Sequence, residues 1–229
     1  MSPGDDVVAA IVGVLEPHRD PVAAAPMAHY MKDRFEFLGV GAPERRRLVK
    51  ESLRGVAVPD EATVHAVALA CWERPEREYQ YCGQEYLSAH IDRCQPRSTL
   101  PLVEHLIVTK SWWDTVDVLC RAGAGSLVRR DPALRPQMDR WLESGDLWLI
   151  RSAILHQERW GADLDFEWVA AACVCHAEHR DFFVRKAIGW VLRTYAHRSA
   201  ETADQVRSLL ASAPFSGLTK REALKRVAH

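Results

Sequence analysis

Helix-starting signals recur along the whole chain and strand signals are missing, which leaves helix packed on helix as the way to bury apolar surface. Proline follows Asp20, Ala42 and Asp131, at positions where a first-turn residue loses nothing by lacking an N–H. Ser111 with Asp114, and Thr219 with Glu222, have the spacing of an N-cap followed three residues later by an acid, and Asp181 before Phe182 is a further cap. Between these signals the apolar residues recur with helical period, most clearly over residues 62–72, 102–109, 148–160 and 181–198. No alternating run flanked by Asn-Gly or Asp-Gly is present, so a sheet is not expected.

The breaks are short, at residues 38–43, 55–60, 93–98, 123–125, 144–146 and 213–217, and none is a long linker. A single domain over residues 1–229 is therefore expected. Short links make neighbouring helices antiparallel, in a compact bundle or in stacked pairs. The unit spacing falls in the range of HEAT-type repeats, about 35–45 residues.

A chain of 229 residues with 48% hydrophobic side chains can bury a core without metals or disulfides to staple it. No apolar run approaches the roughly 20 residues that span a bilayer, and Asp5 and Asp6 stand where a signal peptide needs basic residues. A cytoplasmic protein is expected. The formal net charge of −1 excludes a histone-like binder, but one basic face on a neutral protein can still meet phosphate. Six cysteines at irregular spacing read as small buried hydrophobes. Cys173, Cys175, His176 and His179 lack the second ligand pair of a zinc site, so neither metal nor cofactor is expected.

The helix after Asp181 carries the most information. Val184, Ile188, Val191 and Tyr195 make one apolar stripe. Lys186, Trp190, Arg193 and His197 have the same spacing offset by two residues, about 200° around the helix. Trp190 thus lies among cations, away from the buried stripe. In the segment starting at Ser111, Trp112, Val116, Leu119 and Cys120 form the stripe, while Trp113 and Asp117 stack four apart on another face. Arg151 is displaced from the Leu147/Ile150/Ile154 stripe of its own helix. Taken singly, tryptophans are usually packing residues and charges usually solvated. Their joint recurrence on non-core faces describes a site with aromatics, one carboxylate and cations, suited to a cationic ligand near phosphate.

At these residues the chain resembles the HEAT-like alkylpurine DNA glycosylases of the AlkD type. The similar stretches are residues 26–46, 74–80, 106–117 (LIVTKSWWDTVD), 147–157 (LWLIRSAILHQ), 182–196 (FFVRKAIGWVLRTYA) and 218–225 (LTKREALK), in the family's order over nearly the whole chain. The resemblance implies an all-α fold, an α-solenoid of antiparallel helix pairs with a concave DNA-binding face. It implies Asp117 as the catalytic carboxylate, Trp113 and Trp190 as aromatic walls around the lesion, Arg151 as a contact to the DNA backbone, and Tyr30 as a further residue near DNA. Lys186, Arg193, Arg45, Arg46, Arg47, Lys220 and Arg221 are the expected phosphate contacts. The Ala- and Gly-rich run after the motif, residues 119–127, departs from the family and leaves the end of that helix open.

The expected activity is hydrolysis of the N-glycosidic bond of cationic N3- or N7-alkylated purines in duplex DNA, simple methylpurines or bulky adducts, without extruding the base into a deep pocket. The expected partner is double-stranded DNA carrying such a lesion, with no membrane and no metal involved, and the protein acting as a monomer. Two other readings compete: a non-catalytic module of the same fold that senses damaged or branched DNA, and a helical scaffold for proteins.

Overall fold

A computed structural model describes residues 3–227. Among them the chain is all helical, with no strand and a lone backbone bridge between Glu36 and Glu76. Among the described residues no helix is long and apolar enough to cross a membrane. The chain divides into two compact units, residues 1–102 and 103–229.

The first unit contains α1 (Pro3–Leu15), α2 (Pro21–Tyr30), α3 (Ala42–Ser52), α4 (Glu61–Glu73) and α5 (Arg77–His90). Its core is built from Ile11 and Leu15 of α1, Val64, Val67 and Cys71 of α4, and Tyr79 and Leu87 of α5. Asp20 caps α2 through the amides of Val22 and Ala23, and Asp60 caps α4 through Thr63. The C-terminus of α4 has no glycine cap. The amide of Gln80 donates instead to the carbonyls of Cys71 and Arg74, satisfying groups a helix end leaves over.

The loop between α2 and α3 is fixed by one carboxylate. Buried Glu78 accepts the backbone amides of Leu38, Gly39 and Val40 at 2.9–3.1 Å. Gly39 has φ +94°, and a Cβ there would fall 2.1 Å from the Asp20 carbonyl oxygen, so only glycine fits.

The boundary falls within α6 (Pro96–Val108), and the second unit runs on through α7 (Trp113–Val118), a π-helical stretch (Leu119–Ala124), α8 (Gly125–Arg130) and α9 (Arg135–Glu143). It is completed by α10 (Leu147–Leu155), α11 (Phe166–Cys175), α12 (Phe182–Ala196), α13 (Ala200–Ser212) and α14 (Gly217–Ala223). The expected stripe of α12 is the centre of this unit's core: Val184, Ile188, Val191 and Tyr195 are all buried, with Cys120, Ile150, Ile154, Val169 and Val206 around them. Helix α12 packs on α10, α13 and α14.

Three local expectations are corrected. Ser111 does not cap α7; its hydroxyl donates to the Ile107 carbonyl of α6, and α7 begins after Trp112, whose extended backbone turns the chain. Thr219 lies inside α14, whose cap is Ser216. Residues 123–125 are no break, because the helical path continues through a wide π turn into α8. Their glycines serve close packing. A Cβ on Gly125 would fall 2.1 Å from the His156 carbonyl oxygen, and one on Gly123 would press on Val103 at 3.2 Å.

Candidate active site

Helix α7 is short, and its two chemically distinctive residues are four apart, so Trp113 and Asp117 rise from one side of it. Asp117 is reached by Arg151 of α10. The guanidinium Nε donates to Oδ1 at 2.7 Å and Nη2 to Oδ2 at 2.9 Å, a two-point grip on the carboxylate. The third guanidinium nitrogen, Nη1, donates to the Phe183 carbonyl of α12 at 2.6 Å. The Arg151 side chain is only 5% exposed, and its three guanidinium nitrogens all donate within the protein. The Asp117 side chain itself keeps 12% exposure, which leaves a route to it from outside.

Arg151 lines a cavity of about 260 Å³ together with Trp113, Phe182, Phe183, Lys186, Trp190, Arg193 and Glu222. Asp117 stands behind Arg151 and is not part of this lining. The cavity therefore brings together Trp113, Arg151, Lys186, Trp190 and Arg193, all expected at the site from the sequence, and adds Phe182, Phe183 and Glu222, which were not expected there. Phe183 packs edge-on to Trp112 at 5.1 Å and near Trp148 at 5.0 Å, so an aromatic cluster braces this wall.

Trp190 is flanked by a cation, though not one of its own helix. The Arg121 guanidinium lies 4.7 Å from its ring centre. Arg121 comes from the π turn, and its Nε donates to the Asp117 carbonyl oxygen at 2.6 Å, while Glu158 pairs with it at 3.5 Å.

Lys186 and Arg193 both turn to Glu222 of α14. Lys186 Nζ and Arg193 Nη1 approach the same Oε2 at 2.9 and 3.1 Å. The hydrogen bond from Lys186 leads in holding the Glu222 carboxyl below the usual glutamate range, against a smaller opposing effect of burial. Gly189 makes this possible. A Cβ there would lie 2.5 Å from the Glu222 Cβ and 3.0 Å from the Thr219 carbonyl oxygen, so α14 can sit this close to α12 only at a glycine. The spacing Lys186–Gly189–Arg193 carried that signal, but the partner helix begins more than twenty residues after Arg193.

The remaining candidates lie elsewhere. Lys220 and Arg221 are exposed on α14. In the first unit Tyr30 ends α2, is 67% exposed, and borders an apolar groove of about 550 Å³ with Met27, Met31 and Tyr81. Arg46 and Arg47 of α3 are exposed, beside Glu85 and Glu51 respectively. Arg45, by contrast, is buried, bound to Glu85 at 2.7 Å, and lies over the Tyr81 ring. Among the described residues no group of three His, Cys, Asp or Glu side chains is arranged to hold a metal.

Fold and site together define an all-helical protein with an aromatic, cation-lined cavity and a carboxylate fixed behind it. The chain matches the DNA alkylation repair enzyme family over residues 11–227, and it belongs to that family. A solved structure of a predicted DNA alkylation repair enzyme from Enterococcus faecalis has the same fold, with a TM-score of 0.81 and 28% identity over 92% of this chain and 97% of that one. Among curated proteins none matches.

Proposed function

We propose that this protein is a DNA glycosylase that hydrolyses the N-glycosidic bond of purines alkylated at N3 or N7 in duplex DNA. Alkylation there makes the base a cation and a good leaving group. As the bond to C1′ breaks, its electron pair neutralises the base and positive charge moves to the deoxyribose. Water then adds to C1′ and loses a proton. The protein has to supply fixed negative potential at the sugar and a partly dried surround.

The observation that carries this reading is the carboxylate of Asp117, locked by Arg151 beside the cavity walled by Trp113 and Trp190. A carboxylate has about four acceptor sites, and the Arg151 fork takes two. The others remain for the sugar cation or for the attacking water. Pre-orientation matters more than raw charge here, since a fixed dipole costs no reorganisation as the bond breaks. Help of this kind is worth ~10²–10⁴-fold in rate. The indole faces of Trp113 and Trp190 add ~0.5–2 kcal/mol each toward a cationic base.

The reading includes capture of the lesion without deep extrusion of the base. Selection then rests on the lability of charged lesions, and a neutral lesion such as uracil is a poor substrate. Simple methylpurines and bulky adducts are both open to such a surface. Cytoplasmic duplex DNA is the proposed partner, bound by a monomer.

The test is release of 7-methylguanine and 3-methyladenine from duplex DNA by the native protein, Asp117→Asn and Trp190→Ala, with duplex affinity measured alongside. The expected result for Asp117→Asn is a fall of ~10²–10⁴-fold in release with affinity kept within a few-fold. Undiminished release by Asp117→Asn overturns the assignment. Absence of release by the native protein, with tight binding to damaged duplex, would instead favour a sensing module.

A further inference from the structure

Two cations of the cavity wall, Lys186 and Arg193, share one carboxylate oxygen of Glu222. Each lies about one turn from Gly189, on either side of it, and the close approach of α14 at that glycine places Glu222 between them. The side chains of Lys186 and Arg193 remain 35% and 25% exposed, so solvent and a ligand can still reach both. The same Arg193 nitrogen lies 3.4 Å from the Glu222 carbonyl oxygen. The geometry is that of two cations closing on one anionic oxygen, as they would close on a phosphate.

We propose that Glu222 is an internal stand-in for a DNA phosphate, which occupies Lys186 and Arg193 in the free protein and must be displaced before they engage the backbone. This rests on the DNA-contacting reading of the cavity face. The consequence is discrimination. Undamaged duplex must compete with a carboxylate held at 2.9 and 3.1 Å, so casual binding is weakened. A distorted site that brings a phosphate into full register with both cations regains the lost contact. Glu222 is thus a specificity-determining residue, not a catalytic one.

The experiment is duplex affinity as a function of salt, using a short undamaged duplex, for the native protein, Glu222→Gln, Lys186→Ala/Arg193→Ala, and the triple combination. Glu222→Gln is expected to bind about tenfold tighter near 0.1 M salt, with the log–log salt slope steeper by about one unit, the signature of one extra phosphate contact. In the Lys186→Ala/Arg193→Ala background the gain is expected to shrink below about twofold. A gain that persists there is a general charge effect and overturns the proposal. Glu222→Gln binding no tighter than native, while Lys186→Ala/Arg193→Ala weakens binding, overturns the proposal and leaves the DNA-contact reading standing. Glu222→Gln affinity left unchanged by the further loss of both cations removes that reading and the proposal together. If Glu222→Gln yields no folded protein, Glu222→Ala must move affinity the same way, and failure to do so is equally decisive.

Discussion

Arg151 holds both carboxylate oxygens of Asp117, through Nε and Nη2, and steadies itself on the Phe183 carbonyl. The proposed catalytic anion therefore belongs to a buried ion pair spanning α7, α10 and α12, and its position is inherited from the packing of three helices.

Removing the cation alone is expected to hurt stability. Arg151→Met leaves a carboxylate with 12% exposure and no partner, a change that costs about 3–5 kcal/mol at buried pairs. Restoring apolar balance with Arg151→Met/Asp117→Leu is expected to recover most of that loss, since two matched hydrophobes replace a buried pair at little cost. Urea unfolding of the two variants checks this. Equal losses in both would mean that the pair contributes packing and not charge compensation.

The aromatic walls are expected to discriminate by charge. Trp113→Ala should lower excision of cationic 7-methylguanine by about 2- to 30-fold, the rate equivalent of ~0.5–2 kcal/mol of cation–π attraction. Binding to undamaged duplex should change much less. Parallel single-turnover and affinity measurements separate the two. An equal fall in both would assign Trp113 to general packing.

His156 gives a pH signature that is independent of the site. It is fully buried between Trp160 and Trp168, and burial pushes its pKa down from 6.5 to about 4. Above pH 6.5 both folded and unfolded chains hold it neutral. Between pH 6.5 and 4 only the unfolded chain takes up a proton, so stability falls through that window and the contribution levels off below it. The loss amounts to about 3 kcal/mol at 1.36 kcal/mol per pH unit. Comparing the urea midpoints of native protein and His156→Gln across this range isolates it. Identical pH slopes would show that other groups carry the effect.

How far the sequence could be read depended on the range of the interaction. Caps at Asp20, Asp131 and Asp181 were legible because a carboxylate and the amides two or three residues on are chain neighbours. Ser111 misled because its hydroxyl had a closer acceptor in the preceding helix, at Ile107. Gly123 and Gly125 read as a breaker, yet they serve contact with Val103 and the His156 carbonyl, which only the folded chain brings near.

The site divides the same way. Trp113 with Asp117, and Lys186 with Trp190 and Arg193, could be grouped because each set lies on one helix. Arg151 was found without its partner Asp117, since nothing local announces a buried acceptor 34 residues earlier. Glu222 was seen as the acidic member of a cap at Thr219, and its role as counter-ion depends on a helix–helix approach invisible in one dimension. Arg121 went unnoticed because the π turn that delivers it over Trp190 has no period to detect.

That turn couples parts that look separate. Arg121 grips the Asp117 carbonyl with its Nε and covers Trp190 with its guanidinium, so the backbone under the acid and the ring across the cavity are one mechanical piece. A single-residue deletion within Leu119–Ala124 would close the wide turn to an ordinary helical one, and Arg121 would lose the place from which it reaches both groups. A change of length in this stretch of plain Leu, Cys, Ala and Gly would therefore be felt at the cavity, where substitutions alone would look harmless.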